Sequence, residues 1–309
     1  MKKMFFYGVT LLTVLSACTN DDNRTNETSN LLSVTTINVN DEVKTRSIET
    51  SLNSKTIGLY VAGTGYAPTT YSTCAVSAAG EGGTVTDPIY LLGTAQVYGF
   101  YPAASAVLSP AAPTAASLMT GLTVLATDTF GATGQTDYMY ATQDADVTKT
   151  DAAVVLTFHH ALTKLSFVVN SVGFDGTGAL SQIKLTDKGS ATSFLYADAA
   201  GTMSVATGVL AGLTGTNVLT YTGSATINKT ASTTVVASTL AAPVAALPTI
   251  TLELTVDGAA YSADITSSVT SWDAGKEYIY TVTISNGTLT VTSVSVADWT
   301  SGGTGTATM

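Results

Sequence analysis

Few side chains in this 309-residue sequence have the type and spacing for chemistry, and the first of them is a cysteine. Cys18 follows Leu15-Ser16-Ala17, behind a positive start at Lys2-Lys3 and an apolar stretch over residues 4–15. That layout is a secretory signal peptide, residues 1–17, whose apolar part is too short to span a bilayer as a helix. A cysteine directly after small residues makes it a lipobox. Cleavage before Cys18 frees it for diacylglyceryl and N-acyl attachment, and several acyl chains give a stable anchor where one does not. Cys74 then has no disulfide partner, and in Tyr71-Ser72-Thr73-Cys74-Ala75-Val76 it reads as a buried, inert thiol.

The two histidines, His159 and His160, are adjacent. Neighbours on a strand point to opposite faces, so the pair cannot grip one metal ion from a flat strand. One buried and hydrogen-bonded ring beside one exposed ring is the expected arrangement. Asp144-Ala145-Asp146 begins like a calcium loop, but Thr148, Lys149 and Val155 stand where a third oxygen ligand, the turn glycine and a bidentate glutamate belong. No nucleophile elbow, zinc-protease motif, phosphate loop or dinucleotide fingerprint occurs, so no cofactor is expected. Paired carboxylates from distant strands leave no local spacing, yet five of the 22 acidic residues lie between Cys18 and Arg46. Trp272 and Trp299 have the right rings for stacking on sugars, though tryptophan more often anchors a core. The sequence therefore reads as a non-enzyme.

Arginine is confined to the first part of the chain. Arg24 and Arg46 are the only two, while seven lysines follow from Lys55 to Lys276. Random placement would put both arginines that early about one time in fifty. An Arg-specific protease thus finds targets ahead of Ser47 and none in the body. The net charge of −10 argues against nucleic acid as a partner, because phosphate binding needs a basic patch.

The elements that must hold these residues are strands. Charged residues are only 11% of the chain, and Thr, Ala, Val, Ser and Gly dominate. Residues 19–30 are polar and read as a tether. Residues 31–43 alternate weakly, with Ile37, Val39 and Val43 on one face. Ile250, Leu252, Leu254 and Val256 alternate with polar residues before Asp257-Gly258, and Tyr278, Tyr280, Val282 and Ile284 do so before Asn286-Gly287; both dipeptides favour two-residue hairpins. Prolines at 110 and 113 argue for a loop over residues 103–117. Val154, Leu156 and Phe158 are out of phase with Leu165, Phe167 and Val169, so a bend near His159-His160-Ala161 must carry the chain from one sheet to another. Leu289 and Val291 are likewise out of phase with Val294 and Val296, which requires a bulge or a split between them. The expected fold is all-β, with two β-sandwiches in tandem over residues 47–155 and 156–288, preceded by a propeptide at 18–46 and followed by C-terminal strands at 289–309.

Several of these runs together resemble the Bacteroidales fimbrillins, the subunits of type V pili. They are the lipobox, the arginine-terminated leader strand, Tyr98-Gly99-Phe100-Tyr101-Pro102, the run from Leu156 through His159-His160 to Leu165, the run from Trp272 to Tyr280, and Val296-Ala297-Asp298-Trp299. The resemblance implies transthyretin-like sandwiches and a precursor exported as an outer-membrane lipoprotein. It implies that an Arg-specific protease cuts between Arg46 and Ser47, releasing the leader strand and the lipid anchor. It further implies that a C-terminal strand of another subunit fills the groove, giving a homopolymeric fimbria at the cell surface. Leu289, Val291, Val294, Val296 and Trp299 are the candidate donor residues, since residues 300–309 are rich in glycine. The other reading is a monomeric surface lipoprotein, or a tip or accessory adhesin, that binds glycans or a host protein.

Overall fold

The computed structural model describes residues 30–39, 51–63, 71–103, 107–109, 118–130, 135–188, 195–247, 249–265 and 269–299. Cys18, Arg46, Ser47 and residues 300–309 lie outside them. The described chain is all-β and contains no helix.

Seven strands hydrogen bond round into a closed barrel. They are β1 (Ser33–Val39), β2 (Thr56–Gly63), β3 (Tyr71–Val76), β4 (Gly83–Val85), β5 (Ala95–Tyr101), β6 (Met139–Gln143) and β7 (Ala153–His160), in the order β1-β7-β6-β5-β2-β3-β4. Alternation puts Ile57, Leu59, Val61, Cys74, Val97, Leu156 and Phe158 inside. Closure goes beyond the sandwich expected here, and it removes the edges a sandwich would leave.

Eight further strands form two facing sheets: β8 (Thr163–Val172), β9 (Ala179–Asp187), β10 (Val218–Thr226), β11 (Ala237–Ala241), β12 (Ile250–Val256), β13 (Ala259–Ile265), β14 (Lys276–Ser285) and β15 (Thr288–Asp298). One sheet runs β11-β8-β14-β15; the other runs β13-β12-β9-β10, with Thr127–Thr129 at its far edge. Between them pack Phe167, Ile183, Tyr221, Leu254, Tyr280 and their neighbours. Trp272 is buried there and donates its indole N–H to the Tyr280 hydroxyl at 2.7 Å. Asp257-Gly258 and Asn286-Gly287 all take positive φ, as the twist-matched two-residue hairpin requires.

The expected boundary at 155/156 falls inside β7. That strand pairs with β1 and β6 through His160, so the barrel keeps it, and the chain crosses between units at Ala161-Leu162. The phase change from Phe158 to Leu165 is this crossing. Tyr60, Phe100, Met119, Tyr138, Leu162, Met203, Leu240 and Trp299 fill the space between the units. Leu118–Val124 and Asp198–Ser204 pair beside it; Val107–Ser109, inside the segment expected as a loop, adds a short edge strand there.

Candidate assembly site

Strand β1, expected from the sequence to be a leader, closes the barrel. It runs parallel to β7, from Ser33 opposite Ala153 to Val39 opposite Phe158, and meets β4 where Val34 faces Gly83. Upstream, the Leu32 N–H donates to the Ile89 carbonyl at 2.8 Å and the Leu91 N–H to the Asn30 carbonyl at 2.7 Å. The pairing with β7 skips one residue, Thr35, whose hydroxyl donates to the Val154 carbonyl at 3.1 Å. This bulge puts Val34 and Ile37, three residues apart, on the same inner face. Leu32, Val34 and Ile37 are buried, and Val39 packs against the same core. Val43, expected to continue that face, lies outside the described residues.

Glycine makes room at the bulge. A Cβ on Gly82, whose φ is +75°, would lie 2.5 Å from the Val34 carbonyl oxygen, and one on Gly83 would lie 2.5 Å from Cys74 Sγ. The sequence reading passed over this pair, although Gly80-Glu81-Gly82-Gly83 was a visible sign of close backbone approach. Burial pushes the Cys74 thiol up to about 11, as an inert core cysteine requires.

The C-terminal candidates sit elsewhere. Leu289, Val291, Val294 and Val296 all lie on β15, which is paired with β14 as the edge of its sheet, so it belongs to the second unit and not to a separate segment. The phase change read from sequence is a bulge at Thr292, the residue skipped between Val291 opposite Val282 and Ser293 opposite Thr281. Leu289, Val291 and Val294 therefore all turn to the core. Leu289 is buried, Val291 and Val294 are half-buried against the core, and Val296 is 50% exposed.

Trp299 ends the described chain in the junction. Its N–H donates to the Gly275 carbonyl at 3.0 Å, and its ring stacks on His160 at 3.6 Å between centroids. His160 Nδ1 lies 2.9 Å from an Asp137 oxygen, with both side chains fully buried; facing a carboxylate, that nitrogen donates. His159 points the other way, beside Tyr140 and Thr142, and burial first, then its neighbour His160, holds its pKa below the usual value. The two rings therefore do not share a ligand. Both tryptophans are buried, which leaves neither an open face for a sugar. Among the described residues no three His, Cys, Asp or Glu side chains converge on a metal position.

The comparisons agree with this arrangement of strands. The profile of the fimbrillin-like family matches residues 29–299. A candidate cell adhesion protein of Bacteroides ovatus superposes with a TM-score of 0.62 at 20% identity, over 87% of this chain and 97% of its own. One from Bacteroides uniformis does so at 0.56 and 22% identity, over 87% and 98%. A fimbrial protein of Bacteroides vulgatus gives 0.54 at 16% identity, over 87% and 99%. Likeness at such identities shows a shared fold. No curated protein matches the chain. The family match spans nearly the whole described chain: it belongs to the fimbrillin-like family, and is a pilus-related, non-enzymatic surface protein.

Proposed function

We propose that this chain is a structural subunit of a cell-surface pilus that polymerises by strand exchange once its leader strand is removed. The observation carrying this reading is the way β1 closes the barrel. It is covalently continuous with the residues ahead of Arg46, yet it buries Leu32, Val34 and Ile37 and satisfies one side of β7. Cutting between Arg46 and Ser47 would let β1 leave. A row of unpaired backbone groups and an apolar slot would remain, which an extended strand from another subunit can fill. Before the cut, acylated Cys18 would hold the precursor at the outer membrane.

An Arg-specific protease acting on the folded precursor is expected to give one stable fragment starting at Ser47, and Arg46→Ala to block it. Filaments should follow, seen by negative-stain microscopy. Shredding of the body, or a stable fragment that stays monomeric, defeats the reading. Cys18→Ala should abolish lipid labelling and free the protein from the membrane fraction. The complete pairing of β15 with β14 in its own chain favours a second reading, a tip or accessory subunit or a monomeric adhesin. Under that reading the surface-exposed form would begin at acylated Cys18 in place of Ser47.

A further inference from the structure

A sheet edge is a template for another strand, and most edges of this molecule are closed or blunted. The barrel has none. Thr127–Thr129 pairs in parallel with β10 and covers that edge of the second unit. In β11, Ala237, Thr239, Leu240 and Ala241 are buried. The smaller sheets end in strands of two or three residues, and β15 is interrupted by its bulge at Thr292. Among the described residues, β13 is the one long, flat edge left open. Its seven residues pair with β12 without a register shift, from Ala259 opposite Val256 to Ile265 opposite Ile250, and its other side has no strand. The sequence Ala-Ala-Tyr-Ser-Ala-Asp-Ile holds no lysine or proline to guard it.

Backbone groups along a strand point alternately to its two sides. The Lys188 N–H donates to the Thr249 carbonyl and the Asp257 N–H to the Ala179 carbonyl, both at 2.9 Å, so odd-numbered residues along β12 serve β9. Residues 250, 252, 254 and 256 then serve β13, through Ile265, Ala263, Tyr261 and Ala259. The N–H and carbonyl groups of Ala260, Ser262 and Asp264 are left pointing outward, evenly spaced about Ser262. All three side chains are exposed, and the first two are small. The Asp264 carboxylate is turned back onto its own sheet, where it accepts from Lys188 Nζ and from the Thr251 hydroxyl, each at 2.8 Å.

We infer that β13 is a homotypic contact, pairing antiparallel with β13 of a second copy of this chain about a twofold axis at Ser262. That register uses every outward residue on both copies: Ser262 exchanges its N–H and carbonyl with Ser262, and Ala260 does so with Asp264 on either side of the axis. It sets an uncharged alanine against each aspartate, so no like charges stand opposite. On the inner face it sets Tyr261 against Ala263 and Ile265 against Ala259, a large side chain against a small one each time. Two five-stranded sheets become one. Such a contact is the same patch on both partners and closes on itself, so it cannot extend a filament. It joins two chains, or two filaments side by side, and does not depend on strand exchange at β1. A single edge makes a small interface, weak between two chains and stronger where many copies stand in line.

Disulfide trapping captures a contact too weak to survive dilution, and it reads the register. In the full chain, Ser262→Cys puts two thiols across the axis at a directly paired position, within the span of a disulfide. Ala260→Cys is equally exposed on the same edge but lies four positions along from its own copy, about 13 Å, which is out of reach. Under mild oxidation, and above the rate of the parent chain with its buried Cys74, Ser262→Cys should form a covalent dimer at least about tenfold faster than Ala260→Cys, a margin taken from the steep distance limit of the bond. Adding Ala260→Pro to Ser262→Cys removes an N–H that points away from the hairpin. The melting temperature should hold, while linking slows about tenfold for the hydrogen bond lost on each side of the axis. Equal rates for the two cysteines, or linking that the proline does not slow, overturn the inference. Neither result touches filament formation by the cleaved chain, which tests the assembly reading separately.

Discussion

Strands β1 and β15 carry the same apolar spacing and the same threonine bulge, yet one is enclosed and the other lines an edge. In β1 burial is deep through Leu32, Val34 and Ile37; in β15 it fades from buried Leu289 to half-exposed Val296. The pattern of a strand thus sets which side its residues face and where it must bulge. How far they are buried is set by its neighbours, and these are chosen by topology. A barrel gives its closing strand two sides, while a sandwich edge gives only one.

Strand β7 pairs with β1 along its length and ends at His160, against Trp299, the residue that follows β15. The largest effect should therefore come from the shared anchor. Asp137→Ala leaves His160 buried without its carboxylate and should cost about 3–5 kcal/mol, measured by urea unfolding. Matched alanine substitutions come next. Leu32→Ala and Leu289→Ala should each cost about 2–4 kcal/mol, since both sites are buried. At Ile37 and Val294 the strands should part: Ile37→Ala about 2–4 kcal/mol, Val294→Ala about 1. Val296→Ala should stay within about 0.5 kcal/mol. Equal costs at Ile37 and Val294 would break the comparison.

Cys74 sharpens it from the barrel side. With its thiol held near 11 by burial, the folded chain should react with a thiolate-directed reagent some two to three orders of magnitude more slowly than a free cysteine of about 8.5. Ellman-type kinetics in the native state and in urea test this. The smallest effect belongs to the β12–β13 hairpin, whose β13 lies against β15. The Thr177 hydroxyl first, then the Gly178 and Ala179 N–H groups, hold the Asp257 carboxyl below the usual range. A depressed carboxyl adds stability above its unfolded pKa, about 3.9, and loses it as pH falls through the folded value. Asp257→Asn should therefore lower the melting temperature slightly at neutral pH and leave it nearly unchanged in acid, seen as a shallower fall of melting temperature as pH drops below about 4.

Much of this was legible in the sequence. The two hairpins announced themselves by Asp-Gly and Asn-Gly, and the bulge in β15 by the broken phase between Val291 and Val294. The change of phase across His159-His160 marked the crossing between units. The bend was read at its place, but the domain limit was set at 155/156, inside β7, because periodicity records which way side chains point and not which sheet receives them. Strand β9 was not picked out: its own bulge between Leu180 and Gln182 breaks the alternation that would have revealed it. The closing of the barrel lay beyond any local pattern, since the parallel pairing of β1 with β7 joins residues more than a hundred positions apart.

The placement of Trp299 has a mechanical consequence. The chain enters the second unit at Thr163 and its last described residue is Trp299. Lys164 faces Glu277, and Glu277 faces Ala297, so both ends of the unit lie on one side, two strand spacings or about 10 Å apart. A pull applied between the barrel and the C-terminus is borne across this narrow base. It passes through the Gly275–Leu162 and Trp299–Gly275 hydrogen bonds and the stacked His160 ring. The two facing sheets hang beside the line of force, and their length is not loaded until this clasp opens.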